Sequence, residues 1–377
     1  MGQRESAVAR PLVITGRGVL SSIGIGHEEF GVALGAECTG AFAVEGLFQE
    51  PMPGTDACMI PTFKVSSFLG KKGTGSFDRL TSFVVAACGL ALEESGLVAT
   101  DENRERIGIA IGTSTGSMKS TSEYSRETLV QDRPYLVNPM LFPNTILNCP
   151  AAQAAIWYSL KGVNATLSGG QLSSLLALRY ASTLIRQGYA DVLLVGAAEE
   201  FTPQTAWGYH HAGVLGQTDT LVGEGCAVFV VEDPDIAAAG GRKPLAEVLA
   251  CETGVYGELG RDASLPKGLS KCIQRALRRA GALPEQVWAV AGCATGEPLL
   301  DEAEAEGVRL ALGDTPPRAI STKGQLGECY SAAGAFQLAA LLAAFQTVPV
   351  QDDRFGLVTS IGHDGTAACA VVRQRAG

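Results

Sequence analysis

The chain has 377 residues but no long run of Lys or Arg, and its formal net charge is −10. A protein that binds DNA or RNA needs clustered cations against the phosphates, so nucleic acid is not an expected partner. No apolar run approaches the ~18 residues of a membrane helix. The first ten residues also lack the apolar stretch of a signal peptide. We therefore expect a soluble, cytoplasmic protein that neither crosses a membrane nor binds nucleic acid.

Metal-ligating residues are few and poorly spaced. The chain has four histidines and ten cysteines, and no CxxC pair occurs. Cysteines scattered singly through apolar runs are typical of small core residues in a reducing compartment. The sequence therefore predicts neither a metal site nor a cofactor. His210 and His211 are expected in a solvated surface loop.

Aromatic residues make up only 6% of the chain, whereas 46% of its residues are hydrophobic and 46 are Gly. This composition favours helices packed closely on sheets over an all-β sandwich. Short β-rich runs alternate with helical patterns in two successive sets of similar order, joined by a linker over Asp233–Lys243. We therefore predict a duplicated, layered α/β fold, with halves over residues 11–235 and 244–377. No repeat is visible in the sequence itself, so element order alone supports the duplication.

Two segments resemble nucleotide-binding loops without their chemistry. Leu167–Gln171 spells LSGGQ, which occurs in ABC-type ATPases, but the GxxxxGK[ST] phosphate loop that such an ATPase needs is missing. Gly112–Gly116 lacks the GxGxxG pattern of a dinucleotide loop. Neither segment supports nucleotide binding.

Six short motifs, in the right order, resemble those of the β-ketoacyl synthases. They are the opening strand and turn, a GEG turn, a stretch after the family's first histidine loop, two flanks of its second histidine and a closing Gly-rich loop, at Leu12–Ser21, Gly223–Ala227, Asp301–Glu306, Ser321–Gly324, Ser331–Gly334 and Gly362–Thr366. The resemblance covers residues 11 to 373. It implies a thiolase-like fold, in which the two α/β halves form five layers in the order αβαβα.

The resemblance also identifies what the chain lacks. A condensing synthase carries a nucleophilic Cys at a strand-to-helix turn, where the helix N-terminus favours the thiolate, and two histidines that act on the extender unit. Here the resemblance places Gln171 at the nucleophile position, Cys293 at the first histidine and Glu328 at the second; only Lys323 is retained. A carboxamide is neither a nucleophile nor a usable base, so no acyl-enzyme is expected.

This pattern is similar to that of the chain length factors, the β-subunits of type II polyketide synthases. The resemblance implies a heterodimer with an active ketosynthase α-subunit, an acyl carrier protein that delivers the chain, and a tunnel that this subunit bounds. It assigns the tunnel to a gating helix and a neighbouring loop, at Met118, Thr121, Ser125, Leu141 and Phe142; an ordinary helix surface is the open alternative. The stretch between Glu200 and Gly223 is shorter than in most relatives.

The resemblance further assigns the segment Asn164, Ala165, Thr166 and Leu167 to the strand that pairs with its partner's copy across the dimer axis. An unpaired strand edge is a liability for a free monomer. We therefore expect an obligate dimer with a large apolar interface.

Two other functions stay open. Gln171 could hold a malonyl carbonyl by hydrogen bonds and act in decarboxylation of a malonyl carrier protein, or it could fill space in a dead site. The chain could also be a homodimeric acyl-binding protein. Lys323 and Glu328 favour a structural ion pair over acid–base work, and Cys293 favours an inert buried thiol over a second nucleophile.

Overall fold

The computed structural model describes residues 10–213, 220–257, 264–293, 296–315, 317–347 and 352–376. Over the first half of these residues, the strands are β1 Leu12–Ser21, β2 Gly24–Ile25, β3 Phe42–Ala43, β4 Asp56–Ala57, β5 Ile107–Gly112, β6 Asn164–Leu167, β7 Val192–Glu199 and β8 Gly225–Glu232. The helices of this half are α1 His27–Gly35, α2 Ser66–Leu69, α3 Arg79–Ser95, α4 Met118–Val130, α5 Cys149–Trp157, α6 Ser173–Arg186, α7 Pro203–His211 and α8 Pro234–Ala239.

The second half follows the same scheme. Its strands are β9 Ala246–Val255, β10 Val287–Ala291, β11 Arg318–Ile320, β12 Arg354–Ile361 and β13 Thr366–Gln374. Its helices are α9 Ser264–Ala280, α10 Pro298–Leu312, α11 Lys323–Leu326 and α12 Ala333–Gln346.

The strand order confirms the duplication that element order predicted. The first half runs β1-β8-β7-β5-β6 across the sheet, and the second runs β9-β13-β12-β10-β11. In both series the first two pairings are antiparallel and the last two are parallel. The two series join where β1 pairs with β9, so the strands form one continuous hydrogen-bonded sheet that carries both halves.

Three clusters of buried residues show how the helices and the sheet form layers. One cluster joins α3 and α5 to the strands of the first half, and another joins α9 and α10 to those of the second. The largest cluster contains α6 and α12 together with strands of both halves. Helices therefore cover both outer faces and fill the centre, which is the predicted αβαβα order.

Two glycines within β1 explain how closely the outer layer packs. A Cβ at Gly16 would lie 2.2 Å from the carbonyl oxygen of Ala91, and a Cβ at Gly18 would lie 1.9 Å from that of Ala87. Both oxygens belong to α3, so only glycine lets this helix lie directly on the strand. The strand continues through both glycines to Ser21.

Two local expectations need correction. The predicted linker contains helix α8, because the Asp233 side chain caps it by accepting from the N–H of Asp235 and Pro234 suits its first turn. His210 and His211 are exposed, but they end helix α7 and contact Trp207 instead of lying in a loop. The shortened stretch noted after Glu200 lies partly outside the described residues.

Within the described part of the chain, no helix is both long and apolar enough to span a bilayer. The same residues contain no group of three or more His, Cys, Asp or Glu placed to hold a metal ion.

Candidate functional site

The turn that carries Gln171 joins the end of β6 to helix α6. Gly170 has φ +56°, and residues Gly170–Leu172 form a single 3₁₀ turn before α6 starts at Ser173. Gln171 is 5% exposed, and its backbone carbonyl accepts a hydrogen bond of 3.3 Å from Ser360 Oγ. Its Oε1 atom is buried without a hydrogen-bond partner among the described residues. The local geometry is that of a helix N-terminus that presents a side chain, but the side chain is an amide that cannot ionise.

Tyr330 occupies the space next to this turn. A Cβ at Gly170 would lie 3.9 Å from Cε1 and from the hydroxyl of the Tyr330 ring. Tyr330 has φ +47°, in the left-handed region that is costly for a residue with a side chain. Its ring packs on Tyr209 with centroids 5.3 Å apart. Aromatic side chains therefore lie beside the turn that carries Gln171.

Glu199 fastens the loop before Ser331 to the loop after β5. Its Oε1 accepts from Ser331 Oγ at 2.5 Å and from the Ser114 N–H at 2.7 Å, and Ser114 Oγ also donates to it. Burial raises the pKa of Glu199, and these hydrogen bonds oppose the rise. Oε1 of the Glu199 carboxyl therefore links the two loops.

Lys323 and Glu328, the retained and replaced positions of the second histidine loop, form an ion pair. Their side chains are 12% and 2% exposed. Glu328 Oε1 also accepts from the N–H of Tyr330 at 2.6 Å. This pair fixes the loop that places the Tyr330 ring, which supports a structural role for both residues.

Cys293, at the first histidine position, is 7% exposed. Its N–H donates to Glu304 Oε1 at 2.9 Å, and Thr359 Oγ1 donates to the same oxygen at 2.6 Å. Burial, then the nearby Glu304 charge, raise the pKa of the Cys293 thiol well above its ordinary value, whereas the charge of Lys323 lowers it. A thiol of this kind stays protonated and is a poor nucleophile.

The four predicted positions therefore gather in one region. Ser360, on β12, donates a hydrogen bond to the Gln171 carbonyl, and the Tyr330 ring, two residues after Glu328, lies beside Gly170. The charge of Lys323 is close enough to Cys293 to lower the pKa of its thiol. Tyr330 was missed by sequence reasoning, and its position in the left-handed region gave no sequence pattern that would reveal it.

The predicted tunnel residues lie on helix α4 and the segment after it. Met118 and Thr121 are half-buried, and Ser125 is exposed. Helical periodicity places these three on one face of α4. Phe142 is 51% exposed and packs against Tyr124, with ring centroids 5.7 Å apart. The structure thus brings the helix and the loop together.

The opposite face of α4 borders a cavity of about 660 Å³, which we call the Glu200 cavity. Its lining includes Asp78, Ser117, Ser120, Met140, Leu141 and Glu200. Leu141 is the one predicted tunnel residue in its wall. The sequence analysis did not predict the cavity, although two consecutive carboxylates, Glu199 at the end of the buried strand β7 and Glu200 directly after it, are an unusual pattern that could have drawn attention to Glu200.

Glu200 is 2% exposed, and only one of its two carboxylate oxygens has a hydrogen-bond partner among the described residues. Its Oε1 accepts from Ser117 Oγ at 3.1 Å and from the Lys119 N–H at 3.2 Å. Its Oε2 is buried without a partner among the described residues. Burial, then the charge of Asp78, raise the pKa of Glu200 to about 7, so the carboxyl is partly protonated at neutral pH.

Strand β6 lies at one end of the sheet and pairs, within the described residues, with β5 alone. Its Thr166 Oγ1 is buried without a hydrogen-bond partner in the same part of the chain. The surrounding segment exposes large apolar side chains at Leu129, Val130, Tyr135, Leu136, Met140, Phe142, Ile146, Leu147 and Ile156. An open strand edge beside so many apolar side chains is typical of an interface.

Comparison with known proteins agrees with the family resemblance that the sequence motifs indicated. The model for the β-ketoacyl synthase N-terminal domain matches residues 9–235, and that for the C-terminal domain matches residues 245–351. The 3-oxoacyl-[acyl-carrier-protein] synthase 2 of Vibrio cholerae is 29% identical over 351 residues, which cover 87% of this chain and 84% of that protein.

Two solved structures are also similar. The ishigamide ketosynthase/chain length factor superposes with a TM-score of 0.86 and 36% identity, over 97% of this chain and all of that one. A type II PKS acyl-carrier protein in complex with its ketosynthase bound to the hexaketide contains a chain with a TM-score of 0.82 and 20% identity, over 98% of this chain, and so shows the fold alone. The two domain matches, the duplicated sheet and the strand-to-helix turn at Gln171 agree, and the chain belongs to the β-ketoacyl synthase family, with its thiolase-like fold.

Proposed function

We propose that this chain is a chain length factor, the non-condensing subunit that pairs with an active ketosynthase α-subunit and shapes the tunnel for a growing polyketide. The observation that carries the proposal is the buried Gln171 at the family's nucleophile turn, with Tyr330 beside Gly170 of the same turn. With Cys293 buried and Glu328 in an ion pair, the site offers no thiolate and no base at these positions. Condensation is then the task of the partner's own site.

The strand edge supports the heterodimer. Asn164–Leu167 forms β6, whose far edge carries no strand among the described residues, and Ile156 just before it is 72% exposed. Pairing this edge with a partner's strand satisfies its backbone groups and covers the apolar side chains. An obligate dimer interface of this kind is largely apolar.

Helix α9 supports an acidic acyl carrier protein as the second partner. The helix contains no acid and five cations, Lys267, Lys271, Arg275, Arg278 and Arg279. Two of these cations share Glu252, whereas the other three are exposed without an ion-pair partner within the described residues. On a chain of net charge −10, this helix is a local basic surface that an acidic partner can use.

Ten free cysteines, nine of them buried, agree with a cytoplasmic location.

Decarboxylation by Gln171 is the second candidate function, since an amide donor at this turn could stabilise an enolate oxygen. Cys293 and Glu328 stand where the family has its two histidines, so no histidine assists at these positions, which favours the tunnel subunit.

Co-expression with ketosynthase α-subunits, followed by size and mass analysis of what purifies, tests the proposal. We expect a stoichiometric heterodimer with one α-subunit, and aggregation of the chain when it is expressed alone. A stable homodimer that binds no α-subunit contradicts the proposal and favours the homodimeric acyl-binding protein.

A further inference from the structure

Three arginine side chains, Arg179, Arg186 and Arg279, line a small cavity between helix α6, strand β9 and helix α9. The cavity measures about 270 Å³, and we call it the arginine cavity. The rest of its wall is formed by serine, threonine, glutamine, alanine and cysteine residues, so no acid lines it. It borders the C-terminal half of α6, whereas the turn that carries Gln171 precedes the first residue of that helix. The arginine cavity is therefore separate from the site described above.

Arg186 is fixed in place by the backbone of neighbouring elements. The residue is half-buried, and its guanidinium donates to three backbone carbonyls outside α6, those of Arg10 at 2.9 Å, Leu249 at 2.9 Å and Val248 at 3.3 Å. Carbonyl acceptors orient a guanidinium but do not neutralise its charge. In the described part of the chain, no acid lies within ion-pair distance of Arg186 or of Arg179.

The charges around the cavity do not balance. Arg275 and Arg279 both pair with the buried Glu252, so four guanidinium groups share one carboxylate. The C-terminal ends of α6 and α9 add about half a negative charge each, which leaves an excess of about two positive charges. Burial, then the charge of Arg279, lower the pKa of Arg186, as expected for like charges that lie close together. An anion between these arginines would relieve their repulsion.

Stabilisation of helix ends does not account for this arrangement. Arg186 ends α6 and Arg279 lies in the last turn of α9, where a cation commonly interacts with the last carbonyls of its own helix. Arg186 instead donates to carbonyls of other segments, and Arg279 donates to Glu252. Arg179 lies in the middle of α6 and donates to Thr253 Oγ1. The three side chains thus come together from two helices without serving either helix end.

The number and type of these groups favour a phosphate. Guanidinium groups donate through a planar fork that matches the oxygens of phosphates and carboxylates. A phosphate monoester carries a charge of about −1.5 to −2 near neutral pH and three acceptor oxygens, whereas a carboxylate carries a single charge. The cavity is also smaller than the roughly 300–1,000 Å³ of pockets for drug-sized ligands, which suits a small anion.

We propose that the arginine cavity binds a phosphate group, as the free ion or as a monoester, through Arg179, Arg186 and Arg279. The bound anion joins α6 of the first half to α9 of the second. This inference goes beyond the proposed function and does not depend on it, so it is tested on the purified protein in whichever assembly it forms.

Calorimetric titration with inorganic phosphate, at an ionic strength held constant with sodium chloride, tests the site. We expect saturable binding of one phosphate per chain. Acetate should bind at least tenfold more weakly at the same ionic strength, because it offers one charge and two oxygens to three guanidinium groups. Heats that do not saturate, or equal affinities for the two anions, would overturn the inference.

Two variants of Arg179 and one control assign the binding to this cavity. Arg179→Gln changes an exposed residue and should weaken phosphate binding at least tenfold, whereas Arg179→Lys keeps the charge and should retain part of the affinity. Arg278→Gln is the matched control, because it removes the same charge from an exposed position of α9 outside the cavity wall. It should change the affinity less than twofold. Equal weakening by Arg179→Gln and Arg278→Gln in folded proteins would show diffuse attraction to a basic surface and refute the site.

Titration with glycerol 3-phosphate distinguishes the two sources of the phosphate group. If the ester binds at least as tightly as the free ion, the cavity is a site for a phosphorylated small molecule. Binding of the free ion alone makes it a site for inorganic phosphate. If neither probe binds, the arginines have a structural role only and the inference is discarded.

Discussion

Lys323 and Glu328 form a nearly buried ion pair in the loop that positions Tyr330. Removing one partner of a buried pair leaves the other charge desolvated, which costs roughly 3–5 kcal/mol. We therefore expect Glu328→Gln to lower the free energy of unfolding by an amount of this order, measured by urea denaturation of the heterodimer. Asp101→Asn breaks the pair with Arg104, in which Asp101 is 85% exposed, and should change stability little. Equal effects of the two substitutions would contradict a structural role for Lys323 and Glu328.

We expect the Tyr330 ring to limit access to the turn at residue 171, because the ring lies beside Gly170. In a Cys38→Ser background, which removes the exposed cysteine, Gln171→Cys places a thiol at this turn. We expect slow labelling of that thiol by iodoacetamide, because the ring lies against Gly170. Adding Tyr330→Gly should speed the labelling at least tenfold, and glycine also accepts the positive φ without strain. Tyr330→Phe keeps the ring and should leave the rate unchanged; rapid labelling with Phe would show that the ring does not cover the turn.

The sequence predicts the fold well because the fold depends on local patterns. The alternation of strands and helices gave the duplicated layers, and the motif around Gln171 gave the turn. The sequence could not reveal that the Tyr330 ring lies against Gly170, since these residues are far apart in the chain and meet only through the packing of the two halves. It also could not reveal the protonation of Glu200, whose pKa depends on burial and on Asp78, the N-cap residue of α3, far away in the chain. The tertiary environment determines both the position of the Tyr330 ring and the pKa of Glu200.

Glu200 should make stability depend on pH. Its pKa is raised from 4.5 to about 7, so the folded protein retains a proton that the unfolded chain releases between these values. The free energy of unfolding therefore falls as the pH rises through this window, by about 3 kcal/mol for this group. Lys119, Asp78, Glu224 and Arg79 also face or adjoin the carboxyl, so the comparison must be between wild type and a single variant.

Glu200→Gln is that variant, because it keeps the shape of the side chain and removes its titration. We expect equal stability of the two heterodimers near pH 4.5 and a Gln variant that is more stable by about 3 kcal/mol near pH 8. Urea denaturation across this range gives the difference. Parallel stability profiles for the two proteins would show that Glu200 is ionised throughout.

The apolar side chains near β6 should govern assembly. Ile156→Glu places a charge at a position that is 72% exposed in the single chain and that we assign to the interface. Burying this unpaired charge against the α-subunit is costly, so we expect heterodimer recovery to fall at least tenfold in co-purification. Val32→Glu is the matched control, because Val32 is 75% exposed on helix α1 and should assemble normally. Loss of assembly in both variants, or in neither, would contradict the assignment of this face.

The face of α4 that carries Thr121 should limit the length of the product. Thr121 is half-buried, and its Oγ1 donates to the Ser117 carbonyl at 2.8 Å, so this small side chain is held against its own helix. Thr121→Trp would project a large ring from this face and should shift the products of the reconstituted heterodimer towards shorter chains, as read by mass spectrometry. Arg126→Trp adds similar bulk at an exposed position of the same helix, outside the apolar set assigned to the interface, and should leave the product length unchanged. If Thr121→Trp lowers the total yield without shortening the chain, then this face of α4 contributes to stability or assembly and does not form the wall of the tunnel.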